Sequence, residues 1–413
     1  MLRGEKISRK KVNIITSQNY IIIGISFLLT LFGLLVLYSI SKPLQIAFFS
    51  KTVGKQLIWF FISIIAFVVM FFTKKKFIYD NAYIFYLIGV ALLALPFLIG
   101  IKVSETYRWV RLGPLSFQPS EFMKIFFVIT VAKYLSGEKL DVNSPNAIFI
   151  PLIFTIIPFI VILNQPDLST AVLFLITLLP MLYWAGVNIY NIFLLISPII
   201  SIIAAFNFYS FFVWVIILLI VLYLNSQRIW VSFLVGISNL SLGFFTPFIW
   251  DHLKPYQQKR IITMFNVWED PQGVGYQVIQ SQTAIGSGGL FGKGFGQGTQ
   301  THLKFLPQQH SDFVFSVVGE EYGFVGVVSV LILFFVLLVL LLNSAYKAKD
   351  RFSSLVIIGF QSFLFLHIFI NVGVSAGLLP VTGLSLPFIS YGGSFLLCCY
   401  VMLGIVINLS RKV

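Results

Sequence analysis

The chain has 413 residues, of which 58% are hydrophobic and only 10% are charged, with a formal net charge of +14. An ordinary soluble protein carries roughly 25% charged residues, so this composition excludes a soluble enzyme, a disordered chain and a disulfide scaffold. The two cysteines, Cys398 and Cys399, are adjacent in an apolar run and fit neither a zinc nor a redox spacing. The chain is therefore predicted to be a polytopic membrane protein.

Apolar stretches follow one another along the chain, and the first is predicted to be a permanent span rather than a signal peptide. A helix needs about 20 apolar residues to cross a bilayer core, and it satisfies its backbone hydrogen bonds internally. The sequence therefore predicts an all-α transmembrane helical bundle, with residues 1–413 forming a single integral membrane domain. The twelve apolar stretches lie at 20–41, 56–73, 81–101, 120–136, 147–163, 168–186, 189–206, 209–225, 229–249, 313–343, 353–376 and 386–409.

The distribution of basic residues predicts the orientation of the bundle. Sixteen Lys and Arg residues fall in segments on the side of the N-terminus, and six fall in short segments on the opposite side. Because short cytoplasmic loops carry the excess of Lys and Arg, both termini are predicted to be cytoplasmic. The same rule explains the net charge without nucleic-acid binding. Residues 250–312 are then a large extracytoplasmic loop.

This loop has two distinct parts. Residues 252–268 mix basic and aromatic side chains, which is typical of a segment at the level of the lipid head groups and also of a solvated loop with aromatic anchors. Residues 286–298 contain seven glycines. They do not form a P-loop, because Ser287 stands where a glycine is required and Gly294 replaces the Ser or Thr. These glycines are predicted to permit tight turns and close backbone approach.

Charged residues in or beside apolar stretches are candidates for function, because a charge near the bilayer centre costs roughly 3 kcal/mol. Glu121 and Lys124 are three positions apart, so they share a helix face and can pair. A structural ion pair at a helix start and a role in substrate binding both fit this spacing. Asp167 follows Pro166, and its pattern alone favours a simple carboxylate in the first turn of a helix.

Asp312 stands at the end of the large loop and at the start of the apolar stretch 313–343. A helix of that length measures about 45 Å, against a bilayer core of about 30 Å, so it has to tilt or project outward. Ser316 and Glu320 follow Asp312 at spacings of four and share its helix face. This pattern indicates a functional site, and a helix cap with packing glycines is the alternative. An outward-facing carboxylate suits a lipid-linked diphosphate sugar as substrate, although these residues do not exclude a transporter.

Five segments together resemble the SEDS family (shape, elongation, division and sporulation), most closely its rod-shape branch. The resemblance implies a ten-span bundle. It also implies a peptidoglycan glycosyltransferase that polymerises lipid II on the outer face of the bacterial cytoplasmic membrane, during elongation and rod-shape maintenance. The segments are 108–124 (RWVRLGPLSFQPSEFMK), 164–170 (NQPDLST), 275–298 (GYQVIQSQTAIGSGGLFGKGFGQG), 306–326 (LPQQHSDFVFSVVGEEYGFVG) and 371–394 (NVGVSAGLLPVTGLSLPFISYGGS).

The resemblance also implies residue roles and partners. Asp312 matches an aspartate regarded as essential, which makes it the catalytic residue. The implied partners are lipid II, a class B penicillin-binding protein transpeptidase and elongation-complex membrane proteins, without nucleic acid. A divalent cation (Mg²⁺ or Mn²⁺) is expected, without an organic cofactor, and no metal ligand set can be named. The expected substrate-binding residues are Arg108, Arg111, Glu121, Lys124, Asp167, Ser316 and Glu320.

Two departures from the family pattern stand out. Gln308 replaces a glutamate, which weakens any metal site built on that carboxylate. The count of twelve stretches exceeds the family's ten, and the surplus lies at 187–228, either as an extra helical pair or as one irregular region split in two.

The hypothesis is that Asp312 acts as the general base of an inverting glycosyl transfer. A precursor flippase, a non-catalytic scaffold and a division-type (FtsW-like) relative are the alternatives.

Overall fold

The computed structural model describes residues 17–41, 52–99, 101–103, 106–112, 115–142, 144–225, 229–253, 255–267, 273–303, 305–306 and 308–411. Its helices are α1 Ser17–Ser41, α2 Thr52–Phe72, α3 Lys75–Asp80, α4 Ala82–Ile99, α5 Pro119–Leu135, α6 Asn146–Asn164, α7 Leu168–Trp184, α8 Ile189–Ala204, α9 Phe208–Asn225, α10 Ile229–His252, α11 Pro255–Phe265, α12 Val274–Ser287, α13 Thr299–His302, α14 Val314–Tyr346, α15 Arg351–Ser375 and α16 Gly393–Leu409. Its strands are β1 Ile101–Val103, β2 Thr106–Leu112 and β3 Leu115–Phe117.

Each of the twelve predicted apolar stretches coincides with one helix, namely α1, α2, α4 to α10 and α14 to α16. Five of these helices, α1, α2, α6, α14 and α15, are long and apolar enough to cross a membrane. The prediction of a helical bundle is confirmed. The helix starts follow ordinary rules, since Pro119 occupies the first turn of α5 and the Asp350 side chain accepts the backbone N–H of Ser353 at the start of α15.

A small antiparallel sheet joins α4 to α5, and the all-α prediction did not include it. The strands pair in the order β1–β2–β3, with Val110 opposite Phe117 and Arg111 opposite Ser116. Strands of three and seven residues carry too little hydrophobic alternation to be predicted from the sequence. The sheet fixes the two arginines of β2 on opposite faces of the strand.

Three helices, α8, α9 and α10, pack mainly on one another, and α8 also contacts α7. A buried polar cluster joins them: Trp214 donates to Ser201 at 2.8 Å, and Ser201 donates to Asn239 Oδ1 at 2.6 Å. The predicted extra pair at 187–228 corresponds to α8 and α9. That the pair is additional to the family's core stays a prediction.

Helix α14 is broken at Gly323, whose φ of 65° and ψ of −161° are not helical. The glycine-rich segment, residues 288–298, supplies the hydrogen bonds that the break removes. The N–H groups of Lys293 and Gly294 donate to the carbonyls of Glu320 and Glu321 at 2.9 and 3.0 Å. On the other side of the break, the N–H groups of residues 324 and 325 donate to the carbonyls of residues 289 and 290 at 2.9 and 3.1 Å. The carbonyls of residues 320 and 321 and the N–H groups of residues 324 and 325 therefore all have partners, as burial requires.

The glycines of this segment allow its backbone to touch α14. Gly292 has a φ of +80°, and a Cβ atom there would lie 2.2 Å from the carbonyl oxygen of Glu321. The prediction of tight turns and close approach is confirmed at this position, because both the conformation and the space exclude a side chain.

The structure also places both cysteines, Cys398 and Cys399, on α16 inside the bundle. Neither is bonded in a disulfide, and their exposed fractions are 0% and 1%. They are ordinary core residues.

Replacing Gly292 with alanine is expected to destabilise the protein by about 2–4 kcal/mol, because the new methyl group combines a left-handed backbone with a backbone clash. The melting temperature of the detergent-solubilised protein measures the loss. Gly286→Ala is the matched control, since no atom lies within 4 Å of a Cβ built at that position. Equal melting temperatures for the two variants would contradict the assignment of Gly292 to the break.

Candidate functional site

Asp312 lies in a turn immediately before α14, and the backbone of this turn is fixed from outside. The carbonyl of His310 accepts the N–H of Tyr391 at 2.8 Å, and the carbonyl of Ser311 accepts the hydroxyl of Ser390 at 2.6 Å. The carbonyl of Asp312 accepts Nδ2 of Asn371 at 2.9 Å. Three consecutive carbonyls thus bind three different donors, which fixes the backbone from which the Asp312 side chain projects.

Two of these donors belong to an irregular segment between α15 and α16, residues 376–392, which we call the strap. The strap runs beside Asp312, since a Cβ built at Gly383 would lie 3.7 Å from Oδ2 of Asp312. Gln56 of α2 holds the C-terminal end of the strap. Its Nε2 donates to the Ser390 carbonyl at 3.3 Å, and its Oε1 accepts from the Gly392 N–H at 3.2 Å.

A cavity of about 200 Å³ opens beside the strap. Its wall is mostly apolar, and its two charged side chains are Arg108 from β2 and Arg260 from α11. The remaining lining residues come from α7, α11, α15, the strap and the turn before α7, and they are Pro166, Leu168, Ser169, Val172, Leu173, Gln257, Ile261, Ile370, Pro380, Val381, Thr382 and Leu384. A cavity with apolar walls and few polar groups is typical of a ligand site, and here the charged groups are both cationic.

Arg108 is held in place by the turn between α6 and α7. Its Nε donates to the carbonyl of Gln165 at 3.4 Å, and its Nη2 donates to the carbonyl of Pro166. Its Nη1 lies 3.7 Å from the carboxylate of Asp167. These contacts fix the guanidinium at the cavity, so that it meets an anion without rearrangement.

Asp167 serves as both a helix cap and a partner for Arg108. Its side chain accepts the backbone N–H of Thr170 at 3.2 Å, which caps α7, and Nε2 of Gln118 at 3.3 Å. The sequence pattern favoured a simple carboxylate in the first turn, whereas Asp167 precedes the first turn as the N-cap residue of α7 and also contacts Arg108. A contribution of Asp167 to substrate binding therefore passes through Arg108.

The two arginines of β2 do not act together. Successive side chains of a strand point to opposite faces, so positions 108 and 111 diverge. Arg108 is half-buried at the cavity, on the same face as the buried Val110, while Arg111 is exposed on the opposite face. Direct binding of one ligand by both side chains is not supported by this geometry.

The electrostatics of Asp312 reflect two opposed effects. Burial raises the pKa of Asp312 above its ordinary value, and the Ser311 hydroxyl and the charges of Arg260 and Arg108 lower it, with a net rise. Burial also lowers the pKa of His310, which favours the neutral imidazole. A carboxylate with a raised pKa is a better proton acceptor than an ordinary one.

Glu121 and Lys124 form a buried ion pair in the first turn of α5. Both carboxylate oxygens of Glu121 lie 2.9 Å from the Lys124 ammonium, and Nε2 of His367 lies 2.9 Å from the same nitrogen. The predicted pairing is confirmed. Neither residue lines the cavity with Arg108 and Arg260, so the geometry favours a structural or positioning contribution.

Ser316 and Glu320 point toward the loop helices rather than the cavity. The Ser316 hydroxyl bonds the hydroxyl of Ser281 on α12. The Glu320 carboxylate is fully buried and accepts from Lys293 Nζ at 2.8 Å, from the Thr299 hydroxyl and from two backbone N–H groups of α13. These contacts hold the glycine-rich segment on α14, and substrate binding by either residue stays a prediction.

Within the ranges that the structure describes, no group of three or more His, Cys, Asp or Glu side chains comes together as a metal site. The charges that act on the Asp312 carboxylate are those of two guanidinium groups, Arg260 and Arg108. These residues do not form a protein cage for a cation, and the predicted divalent cation remains without a ligand set.

Comparison with known proteins identifies the family. The family model described as "Cell cycle protein", FtsW/RodA/SpoVE, matches residues 19–214 and 195–413. The chain belongs to this family. The two matches overlap within the predicted extra pair of helices.

Curated family members cover between 78% and 96% of the chain. Stage V sporulation protein E of Bacillus subtilis is 33% identical over 408 residues, covering 96% of this chain and 98% of that protein. The peptidoglycan glycosyltransferase MrdB of Escherichia coli is 33% identical over 325 residues, covering 78% and 76%. The peptidoglycan glycosyltransferase RodA of Treponema pallidum is 29% identical, covering 96% and 98%. These values do not separate the branches of the family.

Solved structures of the family confirm the fold. A chain described under "Structural coordination of polymerization and crosslinking by a peptidoglycan synthase complex" superposes with a TM-score of 0.69 at 26% identity, covering 95% of this chain and 97% of that one. The rod shape determining protein RodA of Thermus thermophilus superposes with a TM-score of 0.62 at 24% identity, covering 94% and 95%. The chain is a multi-pass membrane protein of this fold.

Three residues that line the cavity or bind the strap and the Asp312 turn lie outside the sequence predictions. Arg260 was noticed only as part of a basic and aromatic segment. His367 and Asn371 were not considered, although two polar side chains four positions apart on the apolar helix α15 are a usable signal.

Replacing Glu121 with glutamine is expected to cost about 3–5 kcal/mol, because it leaves the buried Lys124 ammonium without a counter-charge. The matched control is Lys75→Gln, which breaks an ion pair with Asp350 whose side chains are 42% and 37% exposed. Exposed pairs contribute about 1 kcal/mol or less. Thermal unfolding in detergent measures both losses, and an equal loss in the two variants would argue against the buried pair.

Proposed function

We propose that this protein is a peptidoglycan glycosyltransferase that joins lipid II units into glycan strands on the outer face of the bacterial cytoplasmic membrane. The observation that carries the proposal is that the strap lines the apolar-walled cavity of Arg108 and Arg260 and also runs beside Asp312, whose carboxylate is influenced by the charges of both arginines. Lipid II combines an isoprenoid tail, a diphosphate and a sugar, which correspond to the apolar wall, the guanidinium groups and the carboxylate. The names of the relatives MrdB and RodA support the same activity.

In the proposed reaction, Asp312 accepts the proton of an acceptor sugar hydroxyl while the hydroxyl oxygen attacks the anomeric carbon of the donor. The new glycosidic bond forms as the bond between that carbon and the diphosphate oxygen breaks, and the electron pair leaves with the diphosphate. Attack opposite the leaving group inverts the configuration. A positioned base contributes roughly 10²–10⁴-fold to the rate.

Arg108 and Arg260 stabilise the charge that develops on the departing diphosphate. Fixed cationic donors act strongly in a site with little water, because they need no reorganisation during the reaction. Asp167 and the carbonyls of residues 165 and 166 hold Arg108 for this task. A divalent cation remains a prediction, and a chelator in the assay below tests it.

The proposal places both termini in the cytoplasm and the cavity at the outer surface, as the distribution of Lys and Arg indicates. The proposed partner is a class B penicillin-binding protein, which cross-links the strands, together with other membrane proteins of the elongation complex. The superposition on a chain of a peptidoglycan synthase complex supports such an assembly. A role in elongation rather than division rests on the sequence resemblance alone.

The Asp312→Asn variant is expected to fold and insert but to form glycan strands at least about 10²-fold more slowly, because an amide cannot accept the proton. The assay supplies lipid II to purified protein in vesicles, with and without the transpeptidase and with and without chelator. Asp251→Asn, the same substitution at an exposed carboxylate of α10, is the control. Full polymerisation by Asp312→Asn would refute the base assignment. Movement of lipid II between leaflets without strand formation by the natural protein would favour the flippase.

The rate of strand formation is expected to fall as the pH drops through the raised pKa of Asp312, because only the deprotonated base accepts a proton. Arg260→Gln removes a charge that lowers this pKa, so the acid limb of the pH profile should move to higher pH. Lys259→Gln, on the same helix but outside the cavity lining, should move the limb less. A limb that stays in place in Arg260→Gln, or moves to lower pH, would contradict the coupling of Arg260 to Asp312.

A further inference from the structure

Helix α15 carries two buried polar side chains that no step of the proposed reaction uses. His367 and Asn371 are four positions apart, so they lie one above the other on the same helix face. Their exposed fractions are only 2% and 1%. Burial of polar groups in a membrane-spanning helix is costly unless they are hydrogen-bonded, so their partners are informative.

The Asn371 amide binds two backbone carbonyls at once. Nδ2 donates to the carbonyl of Asp312 at 2.9 Å and to the carbonyl of Leu384 in the strap at 2.8 Å. Two carbonyl acceptors fix the orientation of the amide, because its oxygen cannot accept a hydrogen bond from a carbonyl. Asn371 thus ties the backbone of the proposed base to the segment that lines the cavity.

His367 binds the next carbonyl of the strap and connects it to the buried ion pair. Its Nδ1 lies 3.1 Å from the carbonyl of Ser385, and its Nε2 lies 2.9 Å from the Lys124 ammonium. Because a carbonyl only accepts, Nδ1 carries the proton and Nε2 is left to accept from Lys124. The ammonium has three protons, and the two oxygens of Glu121 and this nitrogen account for all three.

We propose that four residues, Glu121, Lys124, His367 and Asn371, form one positioning column. The column fixes the positions of the Asp312 backbone and the strap relative to the cavity. The column runs from the ion pair on α5 through α15 to the two consecutive strap carbonyls at 384 and 385 and the Asp312 carbonyl. Its catalytic meaning rests on the proposed function. All four are positioning residues, because their polar groups bind one another and backbone carbonyls rather than the reacting atoms.

This assignment gives the buried ion pair a purpose in the reaction. Removing any member leaves a carbonyl or an ammonium proton without its partner, and the strap and the Asp312 turn can then shift together. A displacement of about 1 Å of a catalytic group costs on the order of 10²-fold in rate. The loss of activity should therefore appear in kcat. KM should change little, because the arginines and the apolar wall that bind the donor are left in place.

The first test compares Asn371→Ala with Ser362→Ala in the strand-forming assay. Ser362 is a buried residue of the same helix whose hydroxyl bonds only the Ile358 carbonyl of its own helix. Asn371→Ala is expected to lower kcat about 10- to 100-fold with KM within about twofold, and Ser362→Ala to leave both nearly unchanged. A kcat within twofold of the natural protein in folded Asn371→Ala would overturn the proposal.

The second test asks whether hydrogen bonds, rather than bulk, make His367 important. Glutamine at this position offers one acceptor and one donor, whereas leucine fills similar space with neither. His367→Gln is expected to keep kcat within about fivefold, and His367→Leu to lose at least tenfold. Equal impairment of the two variants, or full activity of both, would overturn the assignment of His367. If His367→Leu does not fold, the comparison of His367→Gln with the natural protein decides the point.

A third measurement does not depend on enzymatic activity. Hydrogen–deuterium exchange of peptides covering 308–313 and 382–392 is expected to be faster in Asn371→Ala than in Ser362→Ala, because the N–H of Tyr391 bonds the His310 carbonyl and reports on the same contact. Unchanged exchange would overturn the column even if the natural protein polymerises lipid II. Conversely, changed exchange in a protein that forms no strands would retain the column and refute the proposed function.

Discussion

Inside a membrane protein, backbone N–H and C=O groups that lack a hydrogen bond within a helix must form one elsewhere in the protein, because lipid offers no partner. The chain meets this constraint twice beside its candidate site. At Gly323 the glycine-rich segment supplies donors and acceptors to the interrupted α14. In the strap, side chains from α2 and α15 bind carbonyls that no helix satisfies. Irregular backbone is thus tolerated where a cavity has to be built, and the surrounding helices fix its shape.

Charged groups obey the same rule of compensation. Lys124 meets Glu121, Lys293 meets Glu320, and Arg108 meets Asp167. The Asp312 carboxylate is different, because within the described ranges it forms no salt bridge and is influenced by the neighbouring Ser311 hydroxyl and the charges of Arg260 and Arg108. Its backbone is bound tightly while its reactive group stays available, which is the combination that a proton acceptor requires.

Much of the architecture could be predicted from the sequence, because apolar length and the distribution of Lys and Arg are local signals. The buried ion pair of Glu121 and Lys124 could also be predicted from the sequence, since its two residues lie one helical turn apart. The column through His367 was not, because Lys124 and His367 are separated by 243 positions. The sheet at 101–117 and the contribution of Arg260 could not be predicted from the sequence for a related reason. Only the assembled bundle shows which short segment faces the cavity.

The buried position of the two adjacent cysteines has a practical consequence for studying this protein. Every native thiol lies out of reach of aqueous reagents, since the chain contains no other cysteine. A single cysteine introduced at a chosen loop would therefore be the main site of attachment for a membrane-impermeant maleimide, a spin label or a fluorophore. The sidedness of each loop, and the distance between the strap and its neighbours, can be mapped on an otherwise unmodified chain.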